Sequence, residues 1–377
     1  MQHLYLDFNA TTPVAPEVRE AMAAALDGDG FGNPSSGHWA GRPAKALLEA
    51  GRGEVAALLG CAADEIVFTG GGSEADNLAI KGVVHASPRA TKHVVTTAIE
   101  HPAVLEPCRF LERLGVAVTV LPVDGTGRVD PDDLARALRP DTVLVSIMHA
   151  NNEVGTLQPI AACAAIARAH GVRFHTDAAQ SVGKVATRVD ALGVDLLTIA
   201  GHKLYAPKGV GALYVRRGTA LEPLIHGAGH EAGRRAGTES ALLAAGLGAA
   251  CRLARERDHM TGVAPWRDRL WNGLRARFGD GVLLNGHAEE RLPNTLNVAF
   301  VGRVGAEILA GCPEIAASTG SACHAGRIEP SPVLAAMGVA PEVGMGAVRF
   351  SLGRETTADE VDAAVAALER ALAPAGS

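Results

Sequence analysis

The sequence predicts an α/β protein, with a mostly parallel sheet covered on both faces in a large domain and a smaller α+β domain after it. Three observations lead there. Short β-branched runs alternate with helix-like segments through the first two thirds of the chain, the pattern of parallel sheets with crossover helices. The residues able to carry chemistry fall where those runs end, and ligands of such sheets bind beyond the carboxyl ends of the strands. From about residue 256 the texture changes, and 377 residues fit about two domains.

The elements follow in order. Residues 65–69 (EIVFT) read as a short strand, followed by the turn Gly70-Gly71-Gly72. A helix is expected over 73–84, with Ser73 at its N-cap and Asp76 three residues on. HVVTTAIEH, VAVTVLPV, TVLVSIMHA, VRFHTDAA and VDLLTIAGHK read as further strands, and residues 132–138 and 160–170 as helices between them. A charged helix over 264–278 then leads to the strand RLPNTLNVAFVG. A glycine-containing loop around Cys323, the strand VRFSLG and a closing helix over 358–371 complete the chain. The expected division is a large domain of residues 14–255 and a small domain of residues 1–13 and 256–377.

Composition excludes several classes. With 47 % hydrophobic and 20 % charged residues the chain is an ordinary globular one. A net charge of −6 leaves no electrostatic footprint for nucleic acid or an acidic membrane face. The longest apolar run, residues 241–251, is far short of the roughly 18 residues a membrane span needs. The N-terminus, MQHLYLDFNATTP, lacks the basic and apolar regions of a secretory signal. Six cysteines at 61, 108, 163, 251, 312 and 323 include no CxxC pair, so neither a disulfide framework nor a metal site is expected. A reducing, cytoplasmic setting fits.

Six stretches could carry chemistry. TGGGSE is a glycine turn opening a helix, whose free N–H groups and dipole suit a phosphate. Asp177 ends an apolar strand in FHTDAAQS and could hold a ring N–H protonated. IAGHKLYAPKG delivers His202 and Lys203 from an apolar strand into a loop, where a partly desolvated amine becomes a nucleophile. His101, in IEHPAV, could stack on a planar cofactor or shuttle protons. Cys323 lies among small residues in ASTGSACHAG, a setting that lets a nucleophilic thiol move. Arg354 in RFSLGRETT could clamp a carboxylate. Each has a plain structural reading when taken alone: a tight turn, a turn-capping Asp, a surface lysine, a strand-terminal His, a buried thiol, a solvated arginine. Together they are the parts of a pyridoxal-phosphate site.

The motifs YLDFNATTP, GNPSSGHWAGR, EIVFTGGGSEADNLAIKG, IEHPAV, HANNEVG, HTDAAQSVGK, GHKLYAPKGVGALYVRRG, GRRAGTES, RLPNTLNVAF, STGSACHAG and RFSLGRETT run in order from residue 5 to about 357. Through them the chain resembles the class V, fold-type I pyridoxal-phosphate enzymes, and among these the cysteine desulfurases of the NifS/IscS type. The resemblance implies a seven-stranded-type sheet in the large domain. It implies Lys203 as the Schiff-base lysine, Asp177 on the pyridinium nitrogen, Gln180 at the ring oxygen and His101 stacked on the ring. Gly72, Ser73 and His202 would meet the phosphate. Thr238 would reach the phosphate of a neighbouring subunit, which implies a homodimer with shared sites. Asn152 and Arg354 would hold the substrate carboxylate. The chemistry implied is removal of sulfur from L-cysteine, leaving L-alanine and a persulfide on Cys323 for a sulfur-acceptor protein. L-Selenocysteine is the alternative substrate, and an aminotransferase in which Cys323 is incidental is the alternative reaction. Ala200 stands where many such enzymes carry a phosphate-binding Ser, and Ala232 where they often carry Arg.

Overall fold

The computed structural model describes residues 3–28, 30–256, 262–319 and 331–373, together with the backbone of 322–324 and 327–329. Its first strand, β1 (Leu4–Tyr5), belongs to the second layer below. The central sheet holds β2 (Ile66–Thr69), β3 (His93–Thr97), β4 (Ala117–Leu121), β5 (Thr142–Ser146), β6 (Arg173–Asp177), β7 (Leu196–Ala200) and β8 (Gly211–Val215). They lie in the order β2-β8-β7-β6-β5-β3-β4. All pairings are parallel except the two made by β8, which runs antiparallel to both neighbours. Val67, Val95, Leu144, Val145, Leu196, Leu197 and Leu213 are all fully buried. A sheet covered on both faces demands such unbroken apolar runs, and the sequence supplies them.

The expected helix over 73–84 spans Gly72–Ala86 instead, and Gly71, not Ser73, is its N-cap. Gly71 takes φ +152° there, a conformation side chains rarely adopt. Ser73 therefore lies inside the first turn, and Asp76 is buried within the helix instead of capping it. The other expected helices begin and end within a residue or so of Pro131–Ala137, Ile160–Ala169, Val263–Phe278 and Ala358–Leu372. The apolar run at 241–251 lies in the helix Ala241–Glu256. Among the described residues no helix is long and apolar enough to cross a membrane.

A second sheet pairs β9 (Val282–Asn285) with β10 (Thr295–Phe300). Strand β11 (Ile315–Ala316) pairs in parallel with β1, and β12 (Ser318–Thr319) leads on toward the Cys323 segment. There β13 (Ala322–His324) and β14 (Arg327–Glu329) form a separate antiparallel ribbon. The last strand, β15 (Ala347–Ser351), lies between β10 and β12. Leu4 and Leu6 pack with Leu270, Leu296, Val298, Phe350 and Leu368 in this layer's own apolar cluster. Phe8 and Ala15 pack into the core of the large sheet. The N-terminal segment thus runs from one core to the other, and Asn9 and Ala10 lie between them.

Candidate active site

The carboxyl ends of β6 and β7 and the N-terminus of the Gly72–Ala86 helix converge on a cavity of about 440 Å³. Eight expected residues line it: Gly72, Ser73, His101, Asn152, Asp177, Gln180, His202 and Lys203. A larger depression of about 840 Å³ surrounds the Arg52–Glu231 ion pair and holds none of them.

Lys203 follows β7 in a short 3-10 turn, and its Nζ donates to the carbonyls of Asn9 (2.5 Å) and Ala10 (2.8 Å). Burial, then the Arg349 charge, lowers its pKa to about 8, against the pull of Asp177 and Asp7. About a tenth is therefore free amine at pH 7, far more than for an ordinary lysine.

Asp177 is the last residue of β6 and is buried, with Oδ1 accepting from the Ala179 N–H at 2.8 Å. Burial raises its pKa, and the nearby His101 and Lys203 charges oppose that. Beneath it lies a buried polar layer. His175 pairs with Ser146 Oγ (2.8 Å) and Thr198 Oγ1 (3.1 Å), and burial brings its pKa down to about 3. Asp76 Oδ1 lies 3.6 Å from His175 Nε2, and burial holds that carboxyl well above the usual range.

His101 caps the Pro102–Arg113 helix, with Nδ1 accepting the Ala103 N–H at 3.1 Å. The neutral ring therefore carries its proton on Nε2. Desolvation lowers its pKa. His202 pairs through Nδ1 with Thr11 Oγ1 at 3.1 Å, and desolvation brings its pKa to about 4. In the glycine turn, Gly70 N–H donates to Glu74 Oε2 (2.7 Å), and Arg235 holds the other oxygen (2.8 Å). A side chain at position 72 would press its Cβ to 3.1 Å from that of Ala200. Glycine there keeps the helix N-terminus open to a ligand.

Three expected residues lie elsewhere. Thr238 lines a neighbouring cavity of about 210 Å³ with Thr69 and Gly70. Cys323 is placed by its backbone alone, in β13 opposite Ile328, and its side chain lies outside the described residues. Arg354 does not line the cavity. Its guanidinium is held by Glu355 (2.7 Å) and Glu17 (3.2 Å) and lies 5.2 Å over the Tyr205 ring.

The guanidinium that reaches the cavity is that of Arg349, in β15. The pleat decides this: Val348 and Phe350 point into the small core, so Arg349 points the other way. Arg349 donates to Asp7 Oδ1 (2.7 Å), Ser318 Oγ (3.0 Å) and the Asn152 carbonyl (3.0 Å). A charged residue inside an apolar strand was the signal available for it. The sequence reading also missed Asn9 and Lys184, which meet the site only through folding.

The donor set fits a phosphorylated pyridine aldehyde. An open helix N-terminus faces an amine of lowered pKa across one cavity, and a buried carboxylate there awaits a cationic ring nitrogen. The other five cysteines are free, four of them buried.

Comparison with known proteins agrees. A "Cysteine desulfurase IscS" of Dictyoglomus turgidum is 48 % identical over 376 residues, covering 98 % of this chain and 94 % of that one. A solved "NIFS-LIKE PROTEIN" superposes with a TM-score of 0.92 at 36 % identity, covering 98 % of this chain and 99 % of its own. A structure titled "SspA in complex with cysteine" superposes with a TM-score of 0.83 at 38 % identity, covering 94 % and 100 %. Residues 4–364 match the aminotransferase class-V family, and the chain belongs to it.

Proposed function

We propose that this chain is a pyridoxal-phosphate-dependent cysteine desulfurase that converts L-cysteine to L-alanine and leaves the sulfur as a persulfide on Cys323. One observation carries the reading: Lys203 and Asp177 face a single cavity with an open helix N-terminus in a chain 48 % identical to a cysteine desulfurase. Bound there, pyridoxal phosphate supplies an aldehyde carbon for amines and a protonated ring that draws electrons from the substrate Cα.

The chain's own residues do the rest. Gly72, Ser73 and His202 bind the phosphate. Asp177 accepts the ring N–H and keeps that proton in place. Gln180 donates to the ring oxygen. His101 stacks on the ring and offers Nε2–H. Lys203 Nζ takes the Cα proton and returns it. Arg349 and Asn152 orient the substrate carboxylate, a role that geometry favours for Arg349 over Arg354. The Cys323 thiolate attacks the substrate sulfur. The new S–S bond forms as Cβ–S breaks, and that electron pair is protonated on the way to alanine.

The cluster that gathers Leu4 and Leu6 with residues of 263–368 supports a division into residues 14–255 and residues 1–13 with 256–377, although Phe8 joins the large core. A homodimer places Thr238 at the partner's phosphate, which fits its position in a separate cavity. A cytoplasmic setting, a sulfur-acceptor protein and L-selenocysteine as the alternative substrate complete the reading. Incubation of the holoenzyme with L-cysteine and a reductant should yield alanine and sulfide. No alanine from the wild type, or full activity in Cys323→Ala, would overturn it.

A further inference from the structure

A second lysine belongs to this site. Lys184 lies four residues after Gln180, in the turns that follow β6. Its Nζ donates to Gln180 Oε1 and to Asn9 Oδ1, each at 3.0 Å. Gln180 Nε2 donates to the Asn9 carbonyl at 3.0 Å, the carbonyl that also receives Lys203 Nζ. Asn9 is only 1 % exposed, and it is fixed from the small layer by Asn294 (3.1 Å) and Thr295 (2.8 Å). The two lysines therefore share one rigid asparagine.

They also line one small void of about 10 Å³, walled by Val182, Leu204 and Leu253 among others. That is at the lower limit for a single water, so on that side solvent does little to screen the two amines. The hydrogen-bond partners of Lys184 among the described residues are amide oxygens and not carboxylates. An ordinary structural ion pair does not account for it.

An amide side chain can point either way, and its neighbours decide which. A lysine ammonium only donates, so Lys184 draws Oε1 of Gln180 toward itself. One N–H of Gln180 is then taken by the Asn9 carbonyl, and the other is free for an acceptor in the cavity. We propose that Lys184 is a positioning residue: in its ammonium form it locks the Gln180 amide with an N–H turned to the cofactor ring, and it adds a second positive charge beside Lys203. This rests on the reading of the cavity as a pyridoxal-phosphate site.

The charged and titratable groups around the pair are Asp7, Asp177, Arg349, His101 and His202. Burial, then Lys203 and Arg349, lowers Lys184 to about 7. Where both are protonated the two cations oppose each other, so removing one there favours protonation at the other.

The test compares the holoenzymes of wild type, K184Q, K184M and K184R. The visible band of the bound cofactor is titrated with pH, and cofactor release is followed after dilution. K184Q and K184M are expected to move the titration midpoint upward by about one pH unit and to speed release about tenfold, while K184R stays within about 0.3 unit of wild type. Thermal melts separate loss of fold from loss of positioning. If K184M does not fold, K184Q, which keeps a donor, carries the comparison. Neutral variants that titrate within about 0.3 unit of wild type and retain the cofactor equally would overturn the proposal. A wild type with no visible band that borohydride bleaches would instead overturn the cofactor reading beneath it.

Discussion

Arg349 Nη2 donates to Asp7 Oδ1 at 2.7 Å, joining residues 342 positions apart in the chain. The pair ties the last strand of the small layer to the N-terminal segment that crosses between the two cores. It also aims a guanidinium at the cavity that holds Lys203.

Substrate affinity should follow Arg349. Arg349→Ala is expected to raise KM for L-cysteine about 10- to 100-fold with a smaller change in kcat, since hydrogen bonds to charged groups contribute about 1.5–3 kcal/mol. Arg354→Ala is expected to leave KM within about twofold, because its partners are Glu17, Glu355 and Tyr205. Steady-state kinetics decide this. A rise in R354A as large as that in R349A would give the carboxylate back to Arg354.

Cofactor capture should titrate with Lys203. Only the free amine attacks an aldehyde, so uptake of pyridoxal phosphate by the apoprotein is expected to rise with pH around a midpoint near 8. Arg349 contributes to lowering that pKa, so R349A should move the midpoint upward. Stopped-flow absorbance over a pH series measures both. A midpoint unchanged in R349A would argue against the electrostatic link.

Glu100 should make the fold lose stability as pH rises from 4.5 to about 8. It is buried, takes hydrogen bonds from Thr97 Oγ1 (2.6 Å) and the Met148 N–H (2.9 Å), and burial pushes its pKa up to about 8. Folded protein keeps this proton between the unfolded value of 4.5 and about 8, whereas unfolded protein loses it. Its contribution to stability is therefore full below pH 4.5 and is lost as pH rises through 8. Glu100→Gln should remove that loss and be more stable than wild type above pH 8, by about 2–4 kcal/mol. Thermal melts across pH are the measurement. Parallel curves for the two proteins would refute it.

Alkylation should find one cysteine first. Burial pushes Cys61, Cys108 and Cys163 up to about 12, and Cys251 and Cys312 are raised as well. Thiolate is the reactive form, so these five are expected to resist iodoacetamide near neutral pH. Peptide mass spectrometry should show label on Cys323, with activity lost in step. Early label on any of the other five would contradict the assignment.

Much of the fold was legible because its signals are local. The β-branched runs that became β2, β3 and β5 to β7 are buried on both faces, so they could hardly have been anything else. The N-cap of the helix after the glycine turn lies two residues before the expected Ser73. Ser73 is the better capping residue by composition, but the backbone needs a glycine conformation at Gly71. In the site, Lys203, Asp177, His101 and the glycine turn each end a strand or open a helix, and such ends point at the ligand in a parallel sheet. Arg354 also follows a strand, yet it turns back to Glu17 and Tyr205, contacts made by residues far away in the chain.

By itself the sequence determined the α/β class, the order of most strands of the large sheet and the candidate residues for the site, because periodicity and motif spacing are properties of short segments. The tertiary structure alone decided that Arg349 reaches the cavity, that Asn9 binds both Lys184 and Lys203, and that Asp76, Glu100 and Asp177 share one poorly solvated region. Those relations depend on strand pleat, on burial, and on contacts such as Asn9 to Asn294, which are 285 residues apart. No local pattern encodes a distance of that kind. It exists only once both cores have formed and drawn the N-terminal segment between them.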